Sequence, residues 1–505
     1  MATTSGSPIT VGSPRELSGR SAWFFVAVGA IGSVSVSLIA GSHLILAIVV
    51  IPMMIAVAWS NPVAMMSLLP VWMVLLGFVR RFTPGGGNIT FSGDPVILVG
   101  PIAILIMVFA AYQSGRLRLT PLARAVLAFN ILSLVEAFNP GQGSLLTGLG
   151  GLLFMLVPTA TFWVAQRHMT TDLLWRMTWV VAISALGASI YGLYQQFSHF
   201  PSWDQAWIQS KGYTALNLGS GVVRAFGTFS SAQEYAAFLS VGLVAWVALA
   251  GKATRLVWPL HLSCTITVAV TLFYESQRTS VFLAALALGV MAATRLKMKP
   301  IWIILAGLAG VGVLIGAAGF FGGSGGSSTG SVLISHQLSG ITDPTGAGSS
   351  LPGHLHATWH GMSLGVTHPL GRGTGSVTLA AGRYSSSSGS HGTEFDPGNM
   401  GVAYGLLGEI LYFVLGALAL RSVYRFAVSR TDNLGLVPIG FLLATLFQWF
   451  NGDLYAVCWL VWLVMGAADT LYDESAAAVT SAPVATTTPY VWRKPGEARR
   501  STRGI

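Results

Sequence analysis

Apolar runs of about 20 residues, the length that crosses the hydrocarbon core of a bilayer, follow one another along this chain with only short polar breaks between them. Fourteen such windows lie near residues 22–39, 43–59, 62–79, 95–112, 121–137, 144–166, 173–193, 233–250, 255–274, 278–294, 300–321, 400–420, 435–451 and 453–471. Lipid offers the backbone no hydrogen-bond partner, so each run is expected to cross as a helix. The predicted fold is all-α, a polytopic membrane helical bundle of about 12–14 spans with a large extracytoplasmic loop containing short helices. Turns inside 22–59 and 435–471 are short, and 121–137 carries Arg124, Asn130 and Glu136, which leaves a count of twelve or thirteen open.

Composition narrows the class. Only 9% of the 505 residues are charged and the mean hydropathy is +0.67, whereas an average soluble domain is about 25% charged. The net charge of +10 would suit nucleic acid, but in membrane proteins basic residues mark the cytoplasmic loops. With the N-terminus inside, 20 of the 27 Lys and Arg fall on the cytoplasmic side, so no nucleic-acid partner is expected and both termini are cytoplasmic. The outer set is Arg80, Arg81, Lys211, Arg224, Arg278, Arg372 and Arg383. Arg15 and Arg20 ahead of an apolar run imitate a signal peptide, yet a second span follows at once, so an uncleaved anchor is expected. Cys264 and Cys458 both fall in predicted spans and read as packing residues.

The resulting organisation is a cytoplasmic tail (1–21), spans with an outer loop near 194–232 (22–321), a large extracytoplasmic loop (322–399), further spans (400–471) and a disordered cytoplasmic tail (472–505). In the first outer loop Trp203, Trp207 and Tyr213 alternate with polar residues, the pattern of a segment lying at the headgroups. The second opens with GGSGGSSTG and later carries SSSSGS, both flexible compositions. Between them Leu355, Trp359, Met362, Leu364 and Val366 recur at helical spacing and predict one or two short helices.

Candidate chemistry is concentrated on the outer side. Arg224 and Arg278 each stand just before a span, where a guanidinium can serve as an interfacial anchor, pair with Glu234 or Glu275, or seat a phosphate or diphosphate. Arg80 offers either a third anionic contact or a plain loop residue. Six of ten histidines lie in the second outer loop, but without a companion carboxylate motif they read as loop residues, and no metal is expected. Glu394 and Asp396 precede a span that begins near Asn399; an acid there caps the helix or acts as a general base at the membrane surface. Gly371, Gly373 and Gly375 imitate a phosphate loop, yet no strand precedes them, so a nucleotide site is rejected.

Four stretches, RAFGTFSSAQEYAAFL (224–239), ESQRTSVFLAALALGV (275–290), THPLGRGTG (367–375) and SHGTEFDPGNMGVAYGLLGE (390–409), together resemble the O-antigen ligase and polymerase superfamily of bacterial envelope glycan enzymes. The resemblance covers roughly residues 220–412. Ligases of that superfamily place His, then Asn, Ser or Gln, then nine residues before G-x-x-G; counting back from Gly405 and Gly408 puts Glu394 at the histidine and Phe395 at the next position. The T-E-F-D-x-x-N arrangement at 393–399 is similar to polymerase-like branches of the superfamily, which favours a polymerase over a ligase. The resemblance implies an inverting glycosyltransferase of the cytoplasmic (inner) membrane of a bacterium, working in surface polysaccharide synthesis without metal or cofactor. Its partners would be a polyprenyl-diphosphate-linked oligosaccharide, the lipid bilayer and other polysaccharide assembly proteins. It assigns the base to Glu394, with His391 as runner-up and Asp396 as cap or orienting residue. The diphosphate falls to Arg224 and Arg278, with Arg80 and Arg372 as further contacts. A ligase with another lipid or a protein as acceptor, or a flippase for the same lipid, are the alternatives.

Overall fold

The computed structural model describes residues 43–82, 94–115, 117–211, 222–298, 302, 332–333, 335–337, 351–385, 392–393, 395–450 and 454–481. Helix starts follow the local sequence chemistry. Helix α1 (His43–Ser60) is separated from α2 (Pro62–Phe82) by Asn61, whose side-chain oxygen accepts from the Ala64 N–H at 2.9 Å. Asp94 caps a 3-10 turn (Pro95–Leu98) that leads into α3 (Val99–Gln113). Thr120, Ser144 and Thr170 cap α4 (Pro121–Glu136), α5 (Leu145–His168) and α6 (Thr171–Phe197), each giving an oxygen to an otherwise orphaned N–H. After the short α7 (Ser202–Lys211), Ser231 does the same for α8 (Ala232–Leu249). Then come α9 (Trp258–Tyr274), α10 (Arg278–Arg295), α11 (Leu351–Thr367), α12 (Asp396–Ser429), α13 (Leu436–Ala444) and α14 (Tyr455–Ser481).

Among the described residues nine helices are long and apolar enough to cross a membrane, and Trp258–Tyr274 and Asn433–Ala444 are shorter apolar helices. No strand is found among the described residues. The protein is thus an all-α, multi-pass membrane protein. The windows at 22–39 and 300–321 lie outside the described residues. The window at 121–137 is the 16-residue α4.

One predicted span is cut short. The run 435–451 is apolar except for Thr445, Gln448 and Asn451, yet α13 ends at Ala444 and the chain turns through Phe447, which is left-handed (φ 64). The cause is tertiary. Asp396, buried at the start of α12, accepts from the N–H groups of Trp449 (2.5 Å) and Phe450 (3.1 Å), which a continuing helix would use internally.

Close helix approach is set by small residues. A side chain at Gly466 would meet Phe162 O at 2.4 Å, so α14 lies directly against the α5 backbone. In the same way Gly361 of α11 faces Gly398 of α12. Of the apolar residues that predicted α11, Leu364 packs against the core and Leu355, Trp359 and Val366 are exposed, while Gly361 and Gly365 are buried. Where lipid surrounds the bundle, helices associate by backbone proximity and large apolar groups can face the acyl chains.

Helix α12 is broken. Gly405 takes φ 63 and ψ −157 inside it. The stretch 369–375 packs into the break, with Arg372 N–H donating to Val402 O and Gly373 N–H to Ala403 O, each at 2.9 Å. Gly371 and Gly373 have positive φ, and a side chain on Gly371 would meet Ala403 O at 2.4 Å. The glycines of HPLGRGTG therefore serve backbone contact within the protein.

Candidate active site

The loop 222–231, which leads into α8, is held from below by two arginines at the end of α2. Arg81 is fully buried and pairs with Asp204 of α7 at 2.7 Å. Its guanidinium also donates to the carbonyls of Phe229 and Gly227. Asp204 accepts in addition from Tyr191 (2.6 Å) and Gln195 (2.7 Å). The oxygen of Gln195 takes the N–H groups of Phe226 and Gly227, and that of Gln196 takes the Ala225 N–H. Gly227 is required at the turn: its φ is +51 and a side chain would strike Tyr235 at 2.7 Å. This network fixes the backbone on which Arg224 stands.

Arg80 belongs to the same scaffold. It pairs with Asp94, donates to Ser230 Oγ at 3.1 Å and lies 5.0 Å over the Trp207 ring. Burial alone would raise the Asp94 carboxyl, but the His43 hydrogen bond and the Arg80 guanidinium outweigh it and hold the group down at about 2. Trp207, expected at the headgroups, is instead buried against Phe226 and Ala232, with its indole N–H on Ser230 O. Tyr213 lies outside the described residues.

Arg224 and Arg278 are brought together. Arg224 Nη2 donates to His336 Nε2 at 3.2 Å, and Arg278 Nη2 donates to the carbonyl oxygen of the same His336 at 2.6 Å. Among the described residues neither arginine pairs with a carboxylate, and the Nε of each is buried without a hydrogen-bond partner. Burial lowers the His336 imidazole to about 4, with Arg278 and Arg224 adding to the effect, so at neutral pH it is an uncharged acceptor.

Beside them stands Glu275, 1% exposed. Burial raises its carboxyl to about 8, against the opposing pull of Arg224 and the Gln277 N–H, so it is protonated at neutral pH. Glu234, the other proposed partner for the arginines, accepts from the Ala456 N–H at 2.8 Å and so fixes the start of α14.

The acidic edge is built differently from a plain helix cap. Phe395 occupies the cap position of α12, and Asp396 is its first residue, with its carboxylate turned to Trp449 and Phe450. Asp396 thus orients the turn after α13. Asn399 closes the loop before it, accepting from Thr393 N–H at 2.6 Å and donating to Thr393 O at 3.0 Å. His391 and Glu394 lie outside the described residues. Arg372 is engaged through its backbone in the α12 break, and its Cα stands 3.2 Å from where a Gly141 side chain would begin.

Sequence reasoning found the two arginines that meet and named Glu275 only as a salt-bridge partner. It counted His336 only among the histidines of the second outer loop, and it passed over Gln277 and Gln337. The one signal available was the position of Glu275 and Gln277 in the turn directly before Arg278. Compared with known proteins, the chain matches no family model and no curated protein.

Proposed function

We propose that the protein is a membrane glycosyltransferase of the O-antigen polymerase type, acting on the outer face of a bacterial cytoplasmic membrane. It transfers a glycan from polyprenyl diphosphate to a sugar hydroxyl of another lipid-linked unit. The observation that carries this reading is the meeting of Arg224 and Arg278 at His336 with no carboxylate counter-ion among the described residues. Two guanidinium groups fixed this way stabilise charge that develops on a leaving diphosphate, because their donors need no reorganisation during the reaction.

In the proposed step the acceptor hydroxyl attacks the anomeric carbon and the bond from that carbon to the diphosphate oxygen breaks. The electron pair leaves with the diphosphate, held by Arg224 and Arg278, and the hydroxyl proton passes to Glu394. His391 is the alternative base. Asp396 supports this edge from behind by fixing the Trp449 turn.

A second reading, a flippase for the same lipid, draws support from the break at Gly405 and from Glu409, buried one turn later between Gly365 and Gly401. Broken helices and ionisable groups inside the membrane are transporter features. Reconstitution separates the readings. Purified protein given lipid-linked repeat units is expected to yield a ladder of longer glycans. One product on a different acceptor would mean a ligase, and movement of labelled lipid without elongation a flippase. Arg278→Ala is expected to lower the elongation rate by about 100-fold or more, and Arg278→Lys to recover only part of it, since Lys lacks the planar fork. Full activity in Arg278→Ala would remove the diphosphate seat from the mechanism.

A further inference from the structure

The arginine pair uses only part of the polar chemistry carried by the two segments that meet at His336. Glu275, Gln277 and Arg278 sit on one turn whose middle residue, Ser276, is left-handed (φ 66), a conformation disfavoured for any residue with a side chain. Ser276 Oγ donates to Leu333 O at 3.3 Å, which ties the turn to the segment bearing His336 and Gln337. Among the described residues no side chain hydrogen-bonds to either Glu275 oxygen, to Gln277 Oε1, or to either polar atom of the Gln337 amide. Glu275 is 1% exposed and Gln337 fully buried.

Buried polar groups in folded proteins are nearly always partnered, so a cluster of this kind implies a ligand with complementary groups. A diphosphate alone does not provide them. Its oxygens accept, and so satisfy the arginine Nε groups, the Gln337 N–H and the O–H of the protonated Glu275 carboxyl, while the carbonyl oxygen of Glu275 and the amide oxygens of Gln277 and Gln337 still call for donors. Sugar hydroxyls both donate and accept. We propose that Glu275, with the side-chain amides of Gln277 and Gln337, reads the hydroxyl groups of the sugar joined to the diphosphate, and so determines which glycan the site takes. This inference rests on the donor class proposed above. It gives Glu275 a role in recognition, separate from proton transfer.

The test is binding by the full-length protein in lipid nanodiscs, using two probes: polyprenyl diphosphate carrying one N-acetylhexosamine, and the same lipid without sugar. Wild type is expected to bind the glycosylated lipid about tenfold more tightly, the size of one or two net hydrogen bonds. Glu275→Met and Gln337→Met fill similar volumes without leaving an unpaired group, so they are expected to fold, to lose this preference and to bind the bare lipid as before. Glu275→Gln, which keeps a donor and an acceptor, is expected to retain most of it. Equal affinity of wild type for both probes, or an equal loss for both in Glu275→Met, overturns the proposal. If the preference is present but no glycan is ever elongated, the transferase reading falls and this one stands. If glycans are elongated without any preference, only this one falls, and binding of neither probe overturns both.

Discussion

At the scale of single residues, the outer arginines divide into two kinds that the sequence writes identically. Arg81 neutralises Asp204 in the interior and holds the 227–229 carbonyls. Arg224 and Arg278 have no carboxylate partner among the described residues and meet at a neutral histidine. The electrostatic signature of the second kind is Glu275. Its carboxyl titrates near 8 when folded against an ordinary value of 4.5, so the folded state binds the extra proton between those limits. That contribution is fully present below 4.5 and is lost as pH rises through 8. His336 acts oppositely below its ordinary 6.5, because its folded value is about 4. Arg224 and Arg278 are the charged groups that face His336, and between pH 6.5 and 8 the group of this cluster that changes state is Glu275. In that window wild type is expected to lose thermal stability with rising pH, measured by unfolding in detergent, while Glu275→Gln stays flatter. An identical slope in both proteins would show that Glu275 is not the titrating group.

At the scale of elements, the break in α12 is the feature with the clearest energetic content. Gly405 sits at φ 63 and ψ −157, and a side chain there would lie 2.1 Å from Pro369 O. Backbone in such a region costs other residues about 1–3 kcal/mol before any clash is counted. Gly405→Ala is therefore expected to destabilise the protein by at least that amount and to loosen the 369–375 segment, seen as earlier proteolysis there. Gly187 in α6 is the control: nothing lies within 4 Å of an added side chain, so Gly187→Ala should be neutral or stabilising by up to about 1 kcal/mol. A Gly405→Ala protein as stable as wild type would mean that the break is not required. The α13 turn shows the same principle, since a buried carboxylate from another helix overrides an apolar run.

At the scale of the whole molecule, contacts sort the bundle into two ends. Arg224, Arg278 and the Arg81 network lie at one end; Arg295, at the far terminus of α10, donates to Thr431 O, and Arg167 lies beside Ser114 at the other. An 18-residue helix separates Arg278 from Arg295, about 27 Å of rise. Asp469 joins three helices near the second end, accepting from Thr120, Gln166 and Ser422. The charge bias predicts that the Arg224 end faces outward. On a background with Cys264 and Cys458 replaced by Ala, His199→Cys is expected to react with an impermeant thiol reagent added outside intact cells. Leu256→Cys, which is exposed at the other end, is expected to react only after lysis. The reverse pattern would invert the topology and place the proposed site in the cytoplasm.

Much was legible from the chain alone, because some physical constraints are local. Lipid forces every spanning run into a helix, so composition and run length determined the all-α class and nine of the fourteen windows reappear as long apolar helices. Ser and Thr side chains cap the starts of several of them, a local constraint that the apolar windows by themselves do not show. What remained was decided by groups distant in sequence. That Arg81 is structural depends on Asp204, 123 residues away. That α13 stops at Ala444 depends on Asp396. That Arg224 and Arg278 share one histidine depends on a segment 112 residues beyond the first and 58 beyond the second. A sequence states which charges exist and roughly where along a helix they stand. Only the packing of the helices determines which of those charges are neutralised and which are held ready for a ligand, since desolvation and pairing are properties of neighbours in space.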